Sequence, residues 1–157
     1  MNITLIQIGK TDAGYIREGV ELYLGRINHY AKFEIVTIPD LKNAGKLTEE
    51  QQKVQEGKLI LAQLTDSDVV VLLDERGRQG SSPAFAAWLQ KRMNAGVKRL
   101  CFVIGGPYGF SKELYARAGD RISLSPMTFS HQLVRVIFAE QLYRAFTILN
   151  NEPYHHG

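Results

Sequence analysis

Cysteine is nearly absent from this sequence, and no run of apolar residues approaches the ~18 to 20 that a membrane-spanning helix needs. The lone Cys101 rules out an internal disulfide, and its neighbours Leu100 and Phe102 point to a buried strand thiol. The opening MNITLIQIGK has none of the basic, apolar and small-residue zones of a secretory leader, so a cytoplasmic protein with no membrane segment is expected. Metal-site spacing is missing too. His29, His131, His155 and His156 bear no zinc-ligand spacing to Cys101 or to one another, and no metal is expected. The GKT at Gly9 to Thr11 lacks the upstream glycine of a Walker loop, and no G-x-G-x-x-G follows the first apolar run. A flavodoxin-like nucleotide-binding protein would need phosphate-loop chemistry there, where only IGKTDAG stands.

What the chain does have is the composition of one folded domain. Its 157 residues are 45% hydrophobic and 22% charged, and at that length folding buries roughly 70% of the unfolded surface. Lysine and arginine exceed aspartate and glutamate by 19 to 16, too small a surplus to imply nucleic acid by itself. Between Asp74 and Arg99, however, Arg76, Arg78, Lys91, Arg92, Lys98 and Arg99 outnumber the acids, which fits either a basic patch or a solvated helical face.

Four apolar runs read as strands: residues 2–9, 33–39, 68–74 and 99–105, with a weaker fifth, RISLS, at 121–125. DVVVLLD and RLCFVIG are almost continuously apolar, the pattern of strands covered on both faces. Helices are expected between them. Asp12 is placed to cap one running to about Ala31, Thr48 with Gln51 forms a capping box, Ser82-Pro83 starts a third, and Ser111 opens a short fourth. A last helix is expected from about Ser130 to Asn150, and LKNAGK at 41–46 has no apolar periodicity. Alternation of strand and helix predicts an α/β layered fold with a mainly parallel sheet, in a single domain without repeats.

In such sheets ligands bind beyond the carboxyl ends of the strands, so three loops define the natural pocket: DERGRQGSS, GGPYGFS and SPMTFS. Gly105, Gly106 and Gly109 leave room for a ligand against backbone, although a tight strand-to-helix turn would use them equally well. On the final helix His131 and Arg135 share one face, and Glu140 and Arg144 share roughly the opposite one. Arginines among LVRVIF and QLYRAFTIL suit a helix buried on more than one side, as at a dimer interface. Pro153 then stops the helix and leaves Tyr154, His155 and His156, either a frayed end or a functional tail.

Taken together, VLLDERG, FVIGGPYGFS, LSPMTFSHQLVRVIFAEQLYRAFTILNNEPYHH and the length resemble the ribosomal RNA large-subunit methyltransferase H family over the whole chain, most densely from Val69 onward. The resemblance implies a SPOUT-type single domain, residues 1–157, whose C-terminal part, roughly 69–157, makes a trefoil knot. It implies a homodimer with the active site built across the subunit interface. S-adenosyl-L-methionine would be the cofactor, and the substrate N3 of a pseudouridine in the helix 69 loop of 23S rRNA on assembled ribosomes. Carried over by position, the cofactor pocket comprises Leu73, Gly105, Leu124, Ser125, Pro126, Met127, Thr128 and Phe129. His131, Tyr154 and His155 are then candidates for taking or orienting the N3 proton, and Arg135 and Arg144 for stabilising the base anion or holding phosphate. A non-catalytic ribosome-binding or assembly protein of the same fold is the alternative.

Overall fold

A computed structural model describes all 157 residues. Five strands form one sheet in the order β2-β1-β4-β3-β5, with every neighbouring pair parallel. They are β1 (Asn2–Ile8), β2 (Lys32–Ile38), β3 (Val69–Arg78), β4 (Arg99–Ile104) and β5 (Asp120–Ile122). The helices are α1 (Gly14–Ile27), α2 (Glu49–Leu61), α3 (Ser82–Asn94), α4 (Lys112–Arg117) and α5 (Leu133–Leu149), with a 3-10 turn at Ala44–Lys46. The central strands β1, β3 and β4 are apolar on both faces because both are covered. One face packs Ile3, Leu5 and Phe102 against Ile27 of α1, Leu89 of α3 and Phe138, Leu142 and Phe146 of α5. The other packs Ile6, Val70 and Val103 against Ile60 of α2 and Leu114 of α4. Cys101 lies in that second layer, fully buried, and burial pushes its thiol up to about 11.

Local chemistry sets most boundaries where the sequence places them. Thr48 and Gln51 make both bonds of the capping box, and Ser111 accepts from the Leu114 N–H at 3.3 Å. Both ends of α1 differ, and β5 is Asp120–Ile122 where 121–125 was expected. Asp12 does not cap α1; its own N–H donates to Gln132 Oε1 at 2.9 Å, and the cap residue is Ala13. The helix also ends at Ile27, because the Asn28 side chain bonds the Leu24 carbonyl, the Phe33 carbonyl and the Phe33 N–H, which turns the chain into β2. At the other end of the chain Ser130 Oγ accepts from the Leu133 N–H, so the first turn of α5 begins where the sequence suggests although regular helix starts at Leu133.

The third strand runs past its apolar stretch. After a break in register between Leu73 and Arg78, Arg78 pairs with Ile122, so part of DERGR belongs to the strand rather than to a loop. Glycine is required at position 77, since a Cβ there would lie 2.7 Å from the Arg121 carbonyl carbon. Beyond β5, residues 123–132 have no regular structure. They start beside β3, where the Ser123 N–H donates to the Arg78 carbonyl, and reach the end of β1, where Gln132 Nε2 donates to the Lys10 carbonyl. That path crosses the carboxyl ends of three strand spacings, about 14 Å at the usual separation.

Candidate active site

The crossing segment and the glycine loop enclose the principal cleft, about 710 Å³ in volume, at the carboxyl edge of β3 and β4. Leu73 pairs with Ile104 on one side and Ile122 on the other, so the floor is the place where three strand ends meet. One wall is Gly105 to Phe110, folded back by the Gly106 to Gly109 bridge. The opposite wall carries Leu124, Ser125, Met127, Thr128 and Phe129. Two side-chain bonds brace the walls: Thr128 donates to Glu75 Oε2 at 2.6 Å, and Ser125 Oγ accepts from the Met127 N–H at 3.0 Å.

The resemblance assigns eight residues to cofactor binding, and seven of them line this one cleft; Pro126 is exposed and outside it. Asp74 and Arg76, from the DERGRQGSS segment, also line the cleft, as do Lys53 and Tyr115, which no motif singles out. Asp74 is the last residue of DVVVLLD, so its position at a strand end was the available signal. Its Oδ2 accepts from the Tyr115 hydroxyl at 2.8 Å; burial and that bond hold the phenol above its ordinary range.

The five residues considered for chemistry fall in three places. His131 lines the cleft, exposed and with no side-chain hydrogen bond. Arg135, one turn along, is 1% exposed and points inward: Nη2 donates to the Ile8 carbonyl at 2.8 Å, Nη1 to Thr11 Oγ1 at 2.9 Å, and Nε to the His131 carbonyl at 3.0 Å. Burial lowers the pKa of this guanidinium, and no carboxylate lies within ion-pair distance. Arg135 thus ties α5 to the end of β1 and is not aimed at the cleft, which corrects the expectation that it faces substrate.

Arg144, Tyr154 and His155 form a separate cluster at the far end of α5. Thirteen residues part Arg144 from His131, about 20 Å along a helix axis. The tail reaches this cluster because Asn151 adopts a left-handed φ of 56°, which caps α5 and reverses the chain, with the Glu152 N–H on the Thr147 carbonyl. Glu152 then accepts from the Tyr30 hydroxyl at 2.6 Å, and that bond raises the Tyr30 phenol to about 12. Tyr154 meets Tyr143 edge-on at 4.8 Å between ring centroids and donates its hydroxyl to Glu140 at 3.0 Å. The tail is folded onto α5, not frayed.

No helix here is long and apolar enough to cross a membrane, and no three His, Cys, Asp or Glu side chains are grouped to hold a metal ion. The family described as "Predicted SPOUT methyltransferase" matches residues 1–155. Among curated relatives, the ribosomal RNA large subunit methyltransferase H of Christiangramia forsetii is 61% identical over 99% of both chains. Proteins of the same name from Parabacteroides distasonis and Porphyromonas gingivalis are 57% and 56% identical, again over 99% of each chain. A cleft at the carboxyl ends of a parallel sheet, the motifs that line it and a match running nearly end to end agree: the chain belongs to the SPOUT methyltransferase family.

Proposed function

We propose that the protein transfers a methyl group from S-adenosyl-L-methionine to N3 of a pseudouridine in the helix 69 loop of 23S rRNA on assembled ribosomes. The supporting observation is the cleft itself, in which seven residues that the family resemblance gives to the cofactor converge. Its volume falls within the ~300 to 1,000 Å³ of small-molecule sites. Leu73, Leu124, Met127 and Phe129 offer apolar surface for an adenine ring, and Lys53, Asp74 and Arg76 add charges of both signs that suit a zwitterionic amino-acid end. Gly105 sits where a Cβ would already lie 3.0 Å from the Phe110 ring and 3.2 Å from the Gly109 carbonyl. Gly105→Val should therefore raise the cofactor Kd at least about tenfold, ~1.4 kcal/mol, by calorimetry on folded protein. A Kd within twofold of the parent would remove the glycine turn from the pocket.

When bound, the cofactor supplies an electrophilic methyl carbon whose bond to sulfur breaks, its electrons moving to sulfur, as the N3–carbon bond forms and N3 releases its proton. The protein's share is alignment and proton removal. His131 has a free ring in the cleft and is the best-placed acceptor. Tyr154 is not, because burial and hydrogen bonds with Tyr23 and Glu140 keep its phenol protonated; its ring serves instead as a stacking surface for an unpaired base. We read the crossing of residues 123–132 as the threaded part of a trefoil knot in residues 69–157 of one domain. A homodimer gives the two remote clusters a common site, since a two-fold axis that sets the α5 helices antiparallel brings one subunit's tail to its partner's cleft. Tyr15, Leu22 and Leu133, exposed on neighbouring α1 and α5, are the apolar surface it would cover.

The test is labelled methyl transfer to ribosomes and to free rRNA, followed by mapping of the modified nucleotide. Label at one pseudouridine of ribosomes, and little on free rRNA, is expected. Ribosome binding without transfer would make the protein a non-catalytic assembly factor.

A further inference from the structure

Glu140 is the hub of the tail cluster. Its Oε1 accepts from Arg144 Nε at 3.0 Å, from Arg144 Nη2, and from the Tyr154 hydroxyl at 3.0 Å. The guanidinium thereby has a fixed plane, which lies over the Tyr154 ring with 4.8 Å between its carbon and the centroid. Its free edge meets the tail: Nη1 stands 3.0 Å from His155 Nδ1. A guanidinium has five N–H donors and no acceptor, so this contact has one polarity only. Arg144 donates and Nδ1 accepts. A neutral imidazole that accepts at Nδ1 carries its proton on Nε2, whereas the other tautomer and the imidazolium would both set N–H against N–H. No carboxylate is hydrogen-bonded to the His155 ring: Glu140 reaches it only through Arg144, and Glu152 is bonded to Tyr30. The terminal Gly157 lies beside Nε2, where a Cβ would stand 3.8 Å away, without an ion pair, and Arg26 lies over the Tyr143 ring at 5.4 Å.

We propose that Glu140 and Arg144 are positioning residues that hold His155 neutral with its proton on Nε2, so that His155 donates a hydrogen bond to a carbonyl oxygen of the target base instead of accepting the N3 proton. The assignment rests on the reading above, in which the tail meets the rRNA base. Its chemical sense is direct. As N3 loses its proton, negative charge spreads onto the flanking carbonyl oxygens, and a donor already aimed at one of them stabilises that charge with no reorganisation. A ring with Nδ1 occupied and Nε2 protonated has no lone pair left for the N3 proton, which goes to His131. Arg144 cannot fill the donor role as freely, because three of its N–H groups are committed to Glu140 and His155.

Three variants and two readouts decide this. Nitrogen-15 spectra of the ring, with the His155 signal identified by its loss in His155→Ala, should show Nε2 protonated and Nδ1 bare in the parent protein. In Glu140→Gln that preference should weaken. On ribosomes, His155→Ala should lower kcat by about 10², the usual loss for one such donor. His155→Gln, whose amide N–H can stand near the Nε2–H position, should recover most of that loss and keep the parent's pH profile. Glu140→Gln should lower kcat with little change in the KM for ribosomes. The assignment is overturned if Nδ1 carries the proton in the parent protein, or if His155→Gln is as inactive as His155→Ala and loses the acidic limb of the profile. If the intact protein transfers no methyl group, the functional reading fails instead, and the ring spectrum still decides the tautomer.

Discussion

Replacing Arg135 by methionine is expected to destabilise the protein by about 2 to 4 kcal/mol, a fall of roughly 5 to 15 °C in Tm for a chain of this size. The side chain is a buried cation without a carboxylate partner, so removing it also removes a desolvation cost. The lost bonds outweigh that gain. Methionine fills much of the same volume but leaves the buried Ile8 carbonyl without its donor, at about 1 to 3 kcal/mol, and the half-buried Thr11 hydroxyl and the His131 carbonyl without theirs at a smaller cost each. Lysine should recover part of the loss, since one ammonium can reach one or two of the three acceptors. Denaturant and thermal melts measure the effect, and transfer assays on the folded fraction separate stability from chemistry. An unchanged Tm with abolished transfer would return Arg135 to the substrate-facing group in which the sequence places it.

Arg135 also marks what can be read from the sequence and what cannot. Its spacing from His131 puts the two on one helical face, which is correct, but spacing cannot say that the face at Arg135 is pressed onto the end of β1 while His131, beyond the first regular turn, looks into the cleft. That distinction comes from a contact across more than a hundred residues. The four strong strands were legible because each is a run of apolar or β-branched residues, and the capping residues at Thr48 and Ser111 because their bonds are local. Local patterns fail where distant partners compete, as Gln132 does for the backbone of Asp12. The order β2-β1-β4-β3-β5 has no local signature at all. Seven of the eight residues assigned by motif line the one cleft, and Tyr115 was not assigned, because its bond to Asp74 joins an ordinary helix position to a strand end.

Removing residues 152–157 should leave a folded protein that binds cofactor and has lost methyl transfer to ribosomes by at least ~10 to 10²-fold. The segment follows the cap of α5, and its side-chain bonds to the rest of the molecule are few and half-exposed, Glu152 with Tyr30, Tyr154 with Glu140 and Tyr23, and His155 with Arg144, beside one backbone bond from Glu152 to the Thr147 carbonyl. Their loss costs little stability. None of these residues lines the cleft of its own chain, so calorimetry should give a cofactor Kd close to that of the intact protein. The roughly 20 Å between tail and cleft within one chain makes a stronger test available. Subunits carrying the truncation keep the cleft, and subunits carrying Gly105→Val keep the tail. Assayed at cofactor well below the parent's Kd, each homodimer should fall to about a tenth of the parent rate or less, while a random mixture should recover about a quarter of it, since half of the dimers are mixed and each holds one complete site. Exchange must be shown by light scattering or mass of the mixed species. If mixed dimers form and stay inactive, the site is contained in one chain, and the folded-back tail would have to leave Glu140 and travel the length of α5 to reach His131.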